Sequence, residues 1–388
     1  MIDPRPFYVV GHNPNGIPQV LAALDAGANA IEPDINVYHD RPGELCVAEA
    51  SILDPDEGAA ASAPSLTQYL TELHSIAIQR PELSLVVLDC KPRTVTPELG
   101  AALLQNIRTL LTYDTGINVV FSVSSIKEAA IFETIKNQLG PREGVMIDQE
   151  NDPIEVSDFF SGDGIENQSF GNGISVANAI LGPNVRPSIE KACWFRATTN
   201  RLRFIYAWTV NDHDVMREYI RIGLDGIITD QPGNLRAITQ EAEFKPMVRL
   251  ATRADNPFQP ANQAYGLAIH TGDREGSGTD AKLTFTLTGA AGSASITVDA
   301  SLPGRMDTGG WNYVTLPSSD LGALQSISVQ SDGQSERPDW FLDKITVESL
   351  RGTMAQAVFA CSVDATQPFT KPLVAIGPEP VTAAVVSN

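Results

Sequence analysis

From Pro6 to about residue 242, short apolar runs alternate with helically spaced segments, and no other feature restricts the fold as much. Phe7-Tyr8-Val9-Val10, Leu85-Val86-Val87-Leu88 and Gly226-Ile227-Ile228-Thr229 read as buried strands, each followed by a stretch with one apolar face. In residues 16–27 that face is Ile17, Val20, Leu21 and Leu24. Further helices are expected near 66–79, 96–112, 125–138, 154–160, 187–198, 212–222 and 233–242. Strands at 117–122, 144–148, 203–209 and 225–229 fall between them, while the Gly- and Asn-rich region 162–175 shows little pattern. Such repetition requires a parallel sheet, and eight units close most naturally into a (β/α)8 TIM barrel. In that fold chemistry sits at the C-terminal ends of strands. His12, Glu32, Asp34, Asp89, Lys91, Trp208 and Asp230 all fall at or just past such ends.

Ala28-Asn29-Ala30-Ile31-Glu32-Pro33-Asp34-Ile35-Asn36-Val37 places two carboxylates two residues apart in one strand reading. Side chains alternate faces along a strand, so Glu32 and Asp34 point the same way. Two like charges in one small space repel unless a cation sits between them. Asp89 ends a second buried strand and offers a third oxygen donor. Oxygen-only ligands suit a hard ion such as Mg²⁺ or Ca²⁺.

Beyond Pro246 the spacing changes to short alternating runs, among them Lys282-Leu283-Thr284-Phe285-Thr286-Leu287 and Ser326-Ile327-Ser328-Val329. These read as an all-β sandwich. The chain is therefore divided into a barrel (1–245), a linker (246–262), a sandwich (263–375) and a tail (376–388). A net charge of -20 leaves no basic stripe for nucleic acid and no simple attraction to anionic membranes. No apolar run is long enough to cross a bilayer. Residues 1–12 lack a signal-peptide pattern, so the expectation is a cytoplasmic protein or a secreted one with its leader removed. Cys46, Cys90, Cys193 and Cys361 show no disulfide or zinc spacing.

The first domain resembles the sphingomyelinase D/phospholipase D branch of the glycerophosphodiester phosphodiesterase superfamily. Gly11-His12-Asn13-Pro14-Asn15, Gly27-Ala28-Asn29-Ala30-Ile31-Glu32-Pro33-Asp34, Asp89-Cys90-Lys91, Tyr206-Ala207-Trp208-Thr209-Val210 and Gly226-Ile227-Ile228-Thr229-Asp230 match its motifs in order. The resemblance implies Mg²⁺ on Glu32, Asp34 and Asp89, His12 as one of two acid/base histidines, and Lys91 facing phosphate. It implies a substrate set of Asn15, Tyr206, Trp208 and Asp230, with an aromatic face for a choline head group. It further implies a phospholipid substrate and head-group release by attack of a neighbouring substrate hydroxyl.

The chain departs from that pattern where Leu45-Cys46-Val47-Ala48 ends in Glu49 and the family has its second histidine. Either Glu49 takes the acid/base role, or His39 does, or cleavage is altered. The last case leaves a lipid- or partner-binding scaffold, or a Mg²⁺ enzyme for another phosphate or pyrophosphate substrate. The second domain resembles a PLAT/LH2 sandwich, through Ala268-Ile269-His270-Thr271-Gly272-Asp273, Gly276-Ser277-Gly278-Thr279-Asp280 and Asp339-Trp340-Phe341-Leu342-Asp343. This implies peripheral membrane or protein docking, with Asp273 and Asp280 offered to a Ca²⁺. His74, His213 and His270 are expected to be structural, and Asp152, Glu155 and Asp158 to form a solvated helix start.

Overall fold

The computed structural model describes residues 3–49, 59–90, 96–150, 152–173, 185–259, 264–302, 304–363 and 367–376. These fall into two compact units, one of residues 3–192 and 201–259, the other of residues 193–200 and 264–376.

The first unit is a closed parallel barrel. Its staves are β1 (Arg5–His12), a pair β2 (Ala30–Glu32) and β3 (Asp34–Val37), then β5 (Leu85–Cys90) and β6 (Asn118–Val123). β7 (Glu143–Ile147), β8 (Gln168–Gly173), β9 (Leu202–Trp208) and β10 (Gly226–Thr229) complete it, and β10 pairs back onto β1. β4 (Leu45–Val47) runs antiparallel on β3 as a short edge. Helices α1 (Ile17–Ala26), α2 (Leu66–Gln79), α3 (Pro97–Ile107) and α4 (Phe132–Ile135) lie between the earlier staves. α5 (Pro153–Gly162), α6 (Val185–Thr199), α7 (His213–Ile222) and α8 (Pro232–Thr239) follow the later ones. Tyr8, Val10, Leu85, Val87, Val120, Met146, Phe204, Tyr206 and Ile228 point inward and fill the barrel.

Local chemistry explains the boundaries. α1 stops at Gly27, whose φ of 108° is the left-handed C-cap that glycine adopts without a Cβ penalty. Asp152 caps α5 by accepting from the Ile154 N–H at 2.9 Å, as its place at a helix start predicts. The helix expected at 125–138 is a 3₁₀ stretch, Ile126–Ile131, leading into α4.

β8 lies inside the region where the sequence showed little pattern. It is buried throughout despite the polar sequence Gln-Ser-Phe-Gly-Asn-Gly. Two of its polar side chains find partners outside the strand: the Ser157 hydroxyl donates to Gln168 Oε1 at 2.7 Å, and Asn172 Nδ2 donates to Ser188 Oγ at 2.8 Å, while the buried Ser169 hydroxyl has none. Tertiary partners thus make a strand that hydrophobic periodicity could not announce.

Residues 248–259, read above as the start of a linker, belong to the barrel. β11 (Val248–Leu250) pairs with the start of β1, and Ala251 and Phe258 join the inner core. The segment is tied to the N-terminal ends of the staves by Asn29 Nδ2 donating to Ala251 O at 2.9 Å. Asn118 Nδ2 likewise donates to Asp255 O at 3.0 Å. Gly144 leaves room for the Phe258 ring, since a Cβ there would fall 2.2 Å from it.

The second unit is a sandwich of antiparallel strands. One sheet holds β12 (Ala264–Thr271), β15 (Trp311–Pro317), β17 (Trp340–Glu348), β18 (Met354–Val363) and β20 (Val374–Ala375). The other holds β13 (Lys282–Gly289), β14 (Gly292–Asp299), β16 (Leu324–Ser331) and β19 (Phe369–Pro372). Leu283, Phe285 and Leu287 face the core while Thr284 and Thr286 face out, the period-two pattern read from sequence. Trp340 is fully buried and satisfies its indole N–H on Thr271 Oγ1 at 3.0 Å.

Candidate active site

Register assembles the site. Parallel pairing sets His12 of β1 beside Glu32 of β2, and Asp34 of β3 beside Asp89 of β5. Pro33 interrupts the strand between the two carboxylates because it has no N–H for the ladder. Its carbonyl nonetheless accepts from Asp89 N at 3.1 Å, which keeps β5 in step. One oxygen from each of Glu32, Asp34 and Asp89 lies within 4.8 Å of the others. Among the described residues this is the one grouping of three potential metal-ligating acidic, histidine or cysteine side chains.

Glu32 and Asp34 are buried and Asp89 is half-buried. The turn after β1 grips them. Asn15 accepts from the Asp34 backbone N–H at 2.8 Å and donates through Nδ2 to Asp34 Oδ2 at 2.7 Å. The Asn13 N–H donates to Glu32 Oε2 at 3.1 Å, and the Tyr69 hydroxyl donates to Pro14 O at 2.7 Å. Burial first, and then the charges of Glu32 and Asp34, push the Tyr69 hydroxyl pKa above its ordinary value. A buried all-carboxylate donor set fits a hard divalent cation, which would cancel the repulsion that register imposes. Asn15, expected in the substrate set, is placed as a clamp on Asp34.

His12 is aimed from the other side. Its Nδ1 lies 2.8 Å from Asp230 Oδ1, and Asp230 Oδ2 accepts from Asn211 Nδ2 at 2.7 Å. Asn211 in turn accepts from the Thr229 hydroxyl at 2.9 Å and the Asp230 N–H at 3.0 Å. Partial burial raises the Asp230 pKa, but the hydrogen bonds from His12 and Asn211 outweigh it and hold the carboxyl below its ordinary range. An ionised Asp230 accepts the Nδ1 proton and leaves Nε2 as the basic nitrogen. Asp230 therefore orients His12 in this structure.

Tyr206, expected in the substrate set, is buried in the barrel core. Its hydroxyl donates to Asp148 Oδ2 at 3.0 Å, which also accepts from Ser122 Oγ at 3.1 Å. Burial first, then Asp148, pushes the Tyr206 pKa well above its ordinary value and keeps the phenol protonated. Trp208 is half-buried, with Nε1 donating to Asp148 O at 2.9 Å. Gly171 and Gly173 of β8 open the space both rings need; a Cβ on Gly173 would fall 1.7 Å from Trp208 O. Asp148 was missed in sequence. It stands just past Val145-Met146-Ile147, as Asp89 ends Val86-Val87-Leu88, and that parallel was the available signal.

The acid/base alternatives separate by position. The Ala48 N–H donates to Asp34 O at 3.1 Å, so Glu49 is one residue from a contact with the carboxylate strand. His39 lies five residues beyond Asp34, about 16 Å along an extended chain. Both side chains are exposed. Lys91 lies outside the described residues. In the sandwich, Asp280 Oδ1 accepts from the Arg337 N–H at 2.8 Å, and Asp273 is exposed near His270 Nε2 at 3.9 Å. His74 pairs with Asp114 at 2.8 Å and His270 with Asp343 at 2.9 Å.

The dermonecrotic toxin SPH family model matches residues 2–258, and the PLAT/LH2 domain model matches residues 265–372. Dermonecrotic toxin SPH of Ixodes scapularis is 28% identical over 298 residues, covering 66% of this chain and 76% of the relative. Dermonecrotic toxin LarSicTox-betaID1 of Loxosceles arizonica is 27% identical over 277 residues, covering 66% and 94%. Among solved structures, an Oleispira antarctica phosphodiesterase in complex with the product sn-glycerol-3-phosphate superposes with a TM-score of 0.42 and 13% identity, over 60% of this chain and 96% of that one. Five ordered motifs, a closed parallel barrel and a family match over its whole length lead to one conclusion: the chain belongs to the dermonecrotic toxin SPH family of phosphodiester-cleaving enzymes, and carries a PLAT/LH2 domain after the barrel.

Proposed function

We propose that the barrel releases the head group of a choline-type phospholipid or lysophospholipid in a Mg²⁺-dependent reaction at the carboxylate cluster. The observation that carries this reading is the convergence of Glu32, Asp34 and Asp89 within 4.8 Å beside a His12 whose Nδ1 is held by Asp230. Glu32, Asp34 and Asp89 would hold Mg²⁺, which would supply positive charge to the phosphate oxygens. His12 Nε2 takes the proton of the attacking hydroxyl, which belongs to the substrate itself when a cyclic phosphate forms. As the bond from phosphorus to the head-group oxygen breaks, that oxygen needs a proton, and Glu49 is the donor favoured by its position next to β3. Trp208, half-buried at the end of β9, offers its ring to a quaternary ammonium.

The PLAT sandwich serves to present the barrel to lipid. Trp311 is 45% exposed and lies beside His270, with ring centres 4.8 Å apart, and the Lys344 Nζ reaches to 5.2 Å from the indole. An exposed aromatic beside a lysine suits a lipid–water boundary. No helix among the described residues is long and apolar enough to cross a membrane. Action outside the producing cell, after removal of a leader, is part of this reading.

The test is incubation of the purified chain with mixed choline and ethanolamine phospholipids, with Mg²⁺ or with chelator, and products identified by mass spectrometry. Head-group release that requires Mg²⁺ is expected. A lipid mixture left unchanged in Mg²⁺ would sink the reading.

A further inference from the structure

We propose that Asn13 belongs to the cation site itself, as a fourth oxygen donor whose amide exchanges roles when the metal binds. The inference rests on reading the three carboxylates as a cation site. It concerns a residue that neither the sequence motifs nor the carboxylate grouping singles out.

Three observations point to it. Asn13 adopts φ 49°, the left-handed region, which asparagine enters more readily than most side chains and which fixes where its side chain points. Its backbone N–H is fixed on Glu32 Oε2 at 3.1 Å, so the residue is anchored over the cluster. Its terminal amide faces the two buried carboxylates. With nitrogen turned toward them, the amide donates to Glu32 Oε2 at 3.3 Å and to Asp34 Oδ2 at 3.1 Å. With oxygen turned toward them, oxygens of Asn13, Glu32 and Asp34 converge at those distances. That arrangement is repulsive by itself and is a ligand set around a hard cation.

A half-turn of one amide therefore serves both states. Without metal, the NH₂ group spans the two carboxylates and relieves their repulsion. With metal, the carbonyl oxygen faces the ion and the NH₂ group turns away. An aliphatic side chain at this position could do neither, and a carboxylate could do only the second.

Calorimetric titration of the full chain with Mg²⁺ alone, without lipid, tests this. Asn13→Gly removes the amide and suits the positive φ, so it is expected to fold and to bind Mg²⁺ roughly 10–100-fold more weakly. Asn13→Asp is expected to bind Mg²⁺ more tightly while melting at a lower temperature in chelator. Glu32→Gln serves as the control that abolishes binding. Should Asn13→Gly bind Mg²⁺ as the parent does while Glu32→Gln fails to bind, the Asn13 role falls and the cation site stands. Should the parent itself show no saturable binding, the cation-site reading falls and takes the Asn13 role with it. The side-chain amide resonance of Asn13 in ¹⁵N-labelled parent gives a readout independent of the variants' folding. It is expected to shift with the same saturation as the heat, and an unmoved resonance would overturn the proposal.

Discussion

The His12 imidazole and the Asp230 carboxylate meet at 2.8 Å although 218 residues separate them. They come from β1 and the residue just past β10, the two strands whose pairing closes the barrel. Asp230→Asn keeps the shape but loses the charged acceptor that selects the Nδ1 tautomer. It is expected to lower kcat by roughly 10-fold or more with little change in KM, and His12→Ala by roughly 10²–10⁴. Steady-state kinetics on the preferred lipid measures both, and a wild-type kcat in Asp230→Asn would remove Asp230 as the orienting group.

Glu49 and His39 compete for the role of proton donor to the leaving group. Glu49→Gln should reduce kcat by roughly 10²-fold, while His39→Ala should stay near the parent value. The reverse ranking would transfer the role to His39.

Glu32 and Asp34 are buried carboxylates held together by register rather than by attraction. Glu32→Gln and Asp34→Asn are expected to abolish Mg²⁺-dependent turnover and to melt higher than the parent in chelator. Mg²⁺ at about 100 times its dissociation constant should stabilise the parent by about 2.7 kcal/mol and leave both variants unmoved. Thermal melts in Mg²⁺ and in chelator read all of this.

Asp148→Ala strands a buried Tyr206 hydroxyl without its acceptor. The cost is expected at about 1–3 kcal/mol in urea unfolding. Adding Tyr206→Phe to Asp148→Ala should recover part of the loss. Simple additivity of the two substitutions would mean that the 3.0 Å bond does not couple them.

Asp255 closes the segment beneath the barrel and accepts from Arg249 Nη1 at 2.8 Å and Nη2 at 2.6 Å. The Arg249 hydrogen bonds, helped by Thr252 and opposed by partial burial, hold its carboxyl below the ordinary 3.8. Its contribution is therefore complete above that value and is lost as pH falls below it through the folded-state pKa. Asp255→Asn should cost about 1–3 kcal/mol at neutral pH and flatten the acid limb of stability. An unchanged slope below pH 4 would assign acid sensitivity elsewhere.

How much of this was legible depends on the range over which each signal acts. The barrel showed because each stave and helix writes its own period into ten or so residues, and the sandwich showed by the same rule at period two. Glu32, Asp34, Asp89 and His12 showed because strand ends are local features. The polar strand β8 and the 248–259 segment did not, since Gln168, Asn172 and Phe258 are justified by partners distant in sequence: Ser157, Ser188 and Gly144.

Sequence alone determined which side chains reach the mouth of the barrel, because alternation along a strand is decided by covalent geometry. Tertiary structure decided what each does there. It set Asn15 against Asp34 and Asp230 against His12, buried Tyr206, and introduced Asp148. Those roles depend on register between strands and on contacts across the closed barrel, distances that no local spacing encodes.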